Sequence, residues 1–347
     1  MQLGIDPGFG NFKTALVTND GPQVSVVPSV VGVGETDVGL LGIGDLGRSR
    51  RRNLPDRVQF DGVAYLVGVG VARYARPVQR MDLHRLSDGP ELRALFYDTL
   101  YRLNSDLGEV ALMIGLPVEV MADRSLARST LRSLRQWLIG DHRFTVNGDE
   151  ATLTVTGCKA MAQPAGAFFA WGLNDEGKWT QEMAALTAPI AVCDVGFNTL
   201  DLFAVQGGEI TARYTGGDTV GIRRAAELLI NAVHGEHGLT LSLHEADALL
   251  RKRRPLLYTT DGEADLRPLV SQAMDTAAAG VVNFVEQRWG NGRQFARLLF
   301  TGGGAEALRS ALLRQYPHGV ILPNPVAANA IGLARYGVRA FRKVSKE

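Results

Sequence analysis

The chain has 347 residues, which argues for about two domains at roughly 100–200 residues each. Hydrophobic residues are 46% and charged residues 21%, an ordinary globular composition. With 37 Lys+Arg against 36 Asp+Glu the net charge is +1, which excludes a surface that is basic throughout but leaves room for a local patch. The longest apolar runs fall short of the roughly 18 residues that read as a membrane span, so no span is expected. Met1–Asp6 carries no charged leader and no apolar core, so no secretion signal is expected and the chain reads as cytoplasmic. Cys158 and Cys193 cannot make a disulfide framework, and neither has metal-ligand spacing.

The first element is a hairpin. Leu3-Gly4-Ile5 runs into Asp6, Pro7-Gly8-Phe9-Gly10-Asn11 turns, and Lys13–Val17 returns as a strand. Residues 24–70 read as short strands broken by a basic stretch at 48–57, with a hairpin around Asp61-Gly62. Leu92, Leu95, Phe96 and Leu100 give helical periodicity over 90–105, and Val110–Ile114 reads as a buried strand before Gly115-Leu116-Pro117. A helix is expected over 124–139, strands over 143–156 around Asn147-Gly148, and a helix from Pro164 to Leu173. Then the opening pattern returns: Pro189–Cys193 runs into Asp194, Val195-Gly196-Phe197-Asn198 turns, and Thr199–Val205 returns. Two copies so far apart are not a solenoid, whose period is roughly 20–50 residues. They read as a duplicated domain. A glycine turn at Gly216-Gly217 follows, with helices near 221–234, 242–252 and 266–288. Arg297–Thr301 reads as a buried strand ending in Gly302-Gly303-Gly304, with a helix from Ala305 and a last helix opened by Asn324-Pro325.

Each hairpin sets one carboxylate at a strand end beside a glycine turn. Converging backbone N–H groups with no side chain in the way suit phosphate. A carboxylate beside a polyphosphate needs a cation between them, so Asp6 and Asp194 imply Mg²⁺ if these loops hold phosphate. Lys13 is placed to reach phosphates as a point charge, and Thr199 to offer a hydroxyl. The triple glycine before a helix start allows close approach of a base, ribose or phosphate. Neither a P-loop nor a dinucleotide fingerprint is present.

Taken in order, five segments resemble one superfamily. They are Asp6-Pro7-Gly8-Phe9-Gly10-Asn11-x-Lys13; Gln163-Pro164-x-Gly166; Asp194-x-Gly196-Phe197-Asn198-Thr199-x-Asp201; Thr301-Gly302-Gly303-Gly304; and Asn324-Pro325-Val326-Ala327-Ala328-Asn329-Ala330-x-Gly332. The set resembles the phosphate-1, connect-1, phosphate-2, adenosine and connect-2 motifs of the actin/sugar-kinase/heat-shock-chaperone ATPases. Asp61-Gly62-x-x-Tyr65-x-Val67-Gly68 and Gly115-Leu116-Pro117-Val118 are similar to the plasmid-segregation (ParM/StbA) type of bacterial and archaeal actin.

That resemblance implies an α/β actin-like fold, two duplicated ribonuclease-H-like lobes around a nucleotide cleft. Lobe I is expected over 1–170 plus 324–347, with a small subdomain inserted at about 22–85. Lobe II is expected over 186–323, with a helical subdomain inserted at about 216–295. It implies ATP or ADP as ligand, with Asp6 and Asp194 holding Mg²⁺ through water. The loops at Gly8, Phe9, Gly10, Asn11 and at Gly196, Phe197, Asn198, Thr199 would wrap the phosphates with Lys13. Gln163 would orient the attacking water. Gly302, Gly303 and Gly304 would line the adenosine, and Gly216, Gly217 and Glu227 would cover the nucleotide from the other side. Phe197 and Asn198 stand where many members carry small residues, often glycine. The implied activity is an ATPase that assembles with itself into filaments, for segregation of plasmid or other DNA with a DNA-bound adaptor, or for cytoskeletal organisation.

Plainer readings stand beside these. Cys193 in its apolar run reads as a core cysteine, and His234 and His237 as a surface loop after a helix. Arg48, Arg50, Arg51, Arg52 and Arg57, like Arg251-Lys252-Arg253-Arg254, read first as solvated stretches, and otherwise as contacts with a protomer, an acidic partner or DNA. Leu92, Leu95, Phe96, Thr99 and Leu100 read as a core stripe. A heat-shock chaperone would need a further peptide-binding domain, and few residues follow Asn324-Pro325. A non-polymerising ATP-binding adaptor and a small-molecule kinase of the same fold are the rivals.

Overall fold

The opening hairpin folds as its residues dictate. β1 (Gln2–Pro7) is buried from Leu3 onward, β2 (Asn11–Thr18) returns antiparallel to it, and β3 (Gly21–Pro28) adds a third strand. A computed structural model describes residues 1–34, 54–78, 89–104, 106–219, 221–260 and 262–342. Arg48, Arg50, Arg51 and Arg52 lie outside the described residues, as do 35–53 and 79–85 of the expected insertion.

The chain divides into two compact units, Met1–Gln181 with Ala327–Glu347, and Glu182–Val326. In the first, β4 (Val31–Val33), β5 (Asp56–Phe60) and β6 (Val63–Val67) precede α1 (Pro90–Leu103), β7 (Asp106–Leu116), α2 (Val118–Ala122) and α3 (Arg124–Leu138). β8 (Gly140–Val146), β9 (Asp149–Ala162), α4 (Gln163–Gly172) and a C-terminal helix, Ala328–Ala340, complete it. One nine-stranded sheet runs β3-β2-β1-β7-β9-β8-β5-β6-β4. Only β1–β7 and β7–β9 pair in parallel. The hairpins turn where expected: Asp61 (φ 50) with Gly62 (φ 76), and Asn147 (φ 55) with Gly148 (φ 97). Two successive positive φ values match the twist of the flanking strands. The α1 stripe of Leu92, Leu95, Phe96, Thr99 and Leu100 is buried. The C-terminal helix packs on α4, β1 and β2 and is buried nearly all round.

The second unit repeats the sheet. α5 (Met183–Thr187) leads to β10 (Ile190–Val195), β11 (Leu200–Gln206), β12 (Glu209–Ile210) and β13 (Gly216–Asp218). α6 (Arg223–His237), α7 (Leu243–Leu250), β14 (Leu256–Thr259), β15 (Gly262–Asp265) and α8 (Arg267–Trp289) follow. β16 (Arg297–Thr301), α9 (Gly303–Ala307), α10 (Arg309–Gln315) and β17 (Val320–Ile321) end it. The order β12-β11-β10-β16-β17, antiparallel then parallel, matches β3-β2-β1-β7-β9 of the first unit. A doubled pattern in the chain is therefore a doubled topology in space. α6, α7 and α8 share a separate apolar cluster around Leu229, Val233 and Leu249.

Three local expectations are corrected. Gly216-Gly217 is not a turn but part of β13, paired with Leu202 and Asp201. Without a side chain at Gly216, the Arg288 guanidinium lies against the strand and donates to the Thr215 carbonyl at 3.0 Å. The last helix begins at Ala328, not at Asn324-Pro325. Asn324 has φ 48, and the Pro325 carbonyl accepts from Gly302 N at 2.8 Å and Thr301 Oγ1 at 2.9 Å. That carbonyl is held toward the triple glycine and does not start a helix. His234 and His237 sit in the last turn of α6, not in a loop, where a helix C-terminus favours positive charge. No cluster of metal-ligating side chains occurs among the described residues.

Candidate functional site

The first unit gathers two of the expected side chains, Lys13 and Gln163, on the carboxylate of Asp6. Asp6 and Lys13 are direct partners across β1 and β2, so their side chains emerge on the same face. Lys13 Nζ donates to Asp6 Oδ2 at 2.8 Å, and Gln163 Nε2 donates to Oδ1 at 2.9 Å. Asp6 and Gln163 are buried, and Lys13 is 13% exposed. The strand end fixes Asp6, and the start of α4 fixes Gln163, with Pro164 in the first turn where its missing N–H costs nothing. Gly8, Phe9, Gly10 and Asn11 form the turn beside them. A side chain on Gly8 would stand 2.8 Å from the Asn11 carbonyl.

The second unit repeats the turn with different chemistry. Gly196 N donates to the Thr199 carbonyl at 2.9 Å, and a Cβ on Gly196 would lie 2.9 Å from that same oxygen. The loop is thus the counterpart of the one at Gly8. The strand partner of Asp194 is Asp201, in the place that Lys13 holds opposite Asp6. Both aspartates are buried. Two carboxylates on one rung are unfavourable, and a bound cation offsets that repulsion. Cys193 beside them is fully buried, and burial followed by these two carboxylates pushes its thiol well above the usual range. It is a core thiol, not a nucleophile.

The loop's carbonyls are also occupied. Ile222 N donates to Gly196 O at 3.3 Å and Arg223 N to Phe197 O at 2.8 Å, which satisfies the first N–H groups of α6. The Asn198 side chain has a buried Oδ1 without a hydrogen-bond partner. Gly302 has φ 89, and a Cβ there would overlap the Val195 carbonyl and Asp194 Oδ1. Only glycine lets the Thr301–Gly304 loop lie against Asp194. Glu227 lies on α6 and pairs with Arg223 at 2.9 Å and Arg224 at 3.7 Å.

Four contributors escaped the sequence reading. Ser29 donates Oγ to Gly8 O at 2.6 Å and N to Gly10 O at 3.1 Å, tying down the first loop. Gly115 leaves room for Gln163, whose Cγ would be 2.8 Å from a Cβ there. Arg251, held by Asp247 at 2.9 Å, places Nη1 3.8 Å from where a Cβ on Gly303 would be. Asp201 belongs to the second hairpin motif, and the shared seven-residue spacing of Asp6–Lys13 and Asp194–Asp201 is the signal for it.

Residues 4–166 match the family model for the N-terminal domain of actin-like proteins, and 192–314 match that for the C-terminal domain of archaeal MreB-like actin homologues. The chain belongs to the actin-like proteins. The fold of this actin-like protein is shared by solved structures at low identity. The archaeal actin homologue Ta0583 superposes with TM-score 0.73 at 18% identity, over 97% of this chain and 99% of that one. A non-polymerisable pCBH ParM mutant gives 0.76 at 20%, over 97% and 99%. A 15-stranded ParM filament from Clostridium botulinum gives 0.74 at 20%, over 97% and 99%. Ta0583 has also been solved in complex with ADP. No curated protein matches the actin-like chain. No described helix is long and apolar enough to cross a membrane.

The residues fit a cation and a polyphosphate. Two glycine turns of like geometry end at buried carboxylates, a third glycine loop lies on Asp194, and the acidic rung of Asp194 and Asp201 is suited to a hydrated divalent ion.

Proposed function

We propose that this protein is a cytoplasmic ATPase that assembles with itself into filaments on binding Mg–ATP and disassembles after hydrolysis. Its use is DNA segregation with a DNA-bound adaptor, or cytoskeletal organisation. The observation that carries the reading is the Asp-x-Gly-Phe hairpin repeated in the same register in both units, with Lys13 and Gln163 on the carboxylate of the first.

In this reading Asp6 and Asp194 would hold Mg²⁺, which would supply charge neutralisation at the phosphates. The loops Gly8–Asn11 and Gly196–Thr199 wrap the phosphates, and Lys13 places one positive charge beside them. Gln163 is aimed by its bond to Asp6, which leaves Oε1 to accept from the attacking water. Gly302–Gly304 receive the adenosine, with Arg251 beside Gly303, and Gly216, Gly217 and Glu227 cover its other side. Positioning and charge carry such phosphoryl transfers, with little covalent chemistry asked of the protein.

The test is Gln163→Ala. Nucleotide affinity should be largely kept while phosphate release falls at least about tenfold, since a water-orienting group acts on the transition state and not on binding. Hydrolysis at the wild-type rate would remove Gln163 from the mechanism.

A further inference from the structure

α3 carries a repeat that the nucleotide site does not use. Its sequence sets Arg124-Ser125, Arg128-Ser129 and Arg132-Ser133 four residues apart. On an α-helix the three arginines fall within about a quarter turn and span about 12 Å. All three are exposed, as are Ser125 and Ser129. Among the described residues none of the three arginines makes an ion pair or side-chain hydrogen bond. Asp123, just before the helix, is engaged as its cap by Ser125 N at 2.8 Å and Leu126 N at 3.0 Å. Like charges at four-residue spacing destabilise a helix, and Arg124 also faces the positive end of the dipole. No ion pair among the described residues offsets this, and the arginine face is exposed.

We propose that this face of α3 binds the sugar-phosphate backbone of a nucleic acid directly. Arginine with hydroxyl neighbours is the donor set that phosphates accept from, independently of base sequence. A lipid surface fits less well. The apolar side of α3 is already spent, with Leu134 and Leu138 buried and Leu131 and Trp137 packed on the core. An acidic protein partner also fits less well, because the large apolar side chain exposed on α3, Leu126, falls about 160° around the helix from Arg128 and does not stand among the arginines to anchor an interface.

The experiment is fluorescence anisotropy of a labelled duplex of arbitrary sequence, titrated with the full-length protein between about 50 and 200 mM salt. Three phosphate contacts predict that the logarithm of the association constant falls with the logarithm of salt with a slope of at least about −2.7 in magnitude. The triple variant Arg124→Gln, Arg128→Gln, Arg132→Gln keeps helix propensity. It should bind at least tenfold more weakly at low salt and lose most of that slope, with phosphate release unchanged. Should the triple variant lose helical circular dichroism, Arg128→Gln alone should reduce the slope by about 0.9. The proposal is overturned by no duplex binding at low salt, or by an unchanged slope in the variants. It is also overturned if Lys252→Gln, Arg253→Gln, Arg254→Gln removes the slope instead, or if polyglutamate or anionic vesicles bind α3 as tightly as the duplex.

Discussion

Asp6→Ala is expected to cut Mg–ATP turnover about 10–100-fold, the usual loss when a group that holds a metal's waters is removed. It should also lower the melting temperature. The carboxylate bonds both Lys13 and Gln163, at 2.8 and 2.9 Å. Its removal breaks a mostly buried ion pair, which typically costs about 3–5 kcal/mol. Exposed pairs such as Arg309–Glu306, with both side chains about half exposed, contribute about 0–1 kcal/mol. Arg309→Ala should therefore leave both turnover and melting nearly unchanged. Steady-state phosphate release and a thermal melt on the same preparations separate the two effects. Equal turnover for Asp6→Ala and wild type would detach Asp6 from the chemistry.

Gly332→Val is expected to be the most damaging single change in the first unit. A Cβ at Gly332 would overlap the Gly166 carbonyl of α4 and crowd Ala170 N at the closest point of two helices. These are backbone atoms of a regular helix, so no rotamer change relieves the overlap. Overpacking commonly costs about 1–3 kcal/mol and occasionally more. With rigid backbone on both sides we expect about 3 kcal/mol or more, a fall in melting temperature of roughly 6–12 °C. Gly235 in α6 has nothing within 4 Å of its Cβ direction, so Gly235→Ala should be neutral or slightly stabilising. Similar melting of both variants in calorimetry would contradict the packing argument. The same contact matters to the site, because α4 begins at Gln163.

The parts of the fold written in local chemistry were legible. Asp61-Gly62 and Asn147-Gly148 can hardly be anything but tight hairpins, and the Leu92–Leu100 stripe can only face a core. The two Asp-x-Gly-Phe turns announced themselves because each pairs a strand end with a glycine that a carbonyl three residues on requires. What escaped depends on neighbours distant in sequence. Ser29 reaches the first loop only because β3 folds back on β2. Gly115 matters only because β7 runs beneath Gln163. Arg251 read as one more solvated arginine until α7 placed it beside Gly303. Asn324-Pro325 looked like a helix start, yet two hydrogen bonds to the Pro325 carbonyl delay the helix to Ala328. In each case tertiary hydrogen bonding or packing decided between local options that were close in energy.

Nucleotide-driven filament assembly is tested by right-angle light scattering of the purified protein on adding Mg–ATP, with Mg–ADP as the comparison. Scattering should rise with Mg–ATP and decay as the nucleotide is hydrolysed, with little or no rise on Mg–ADP. A flat trace with Mg–ATP, from protein shown to bind the nucleotide, would contradict filament assembly and favour an adaptor or a kinase on the same fold.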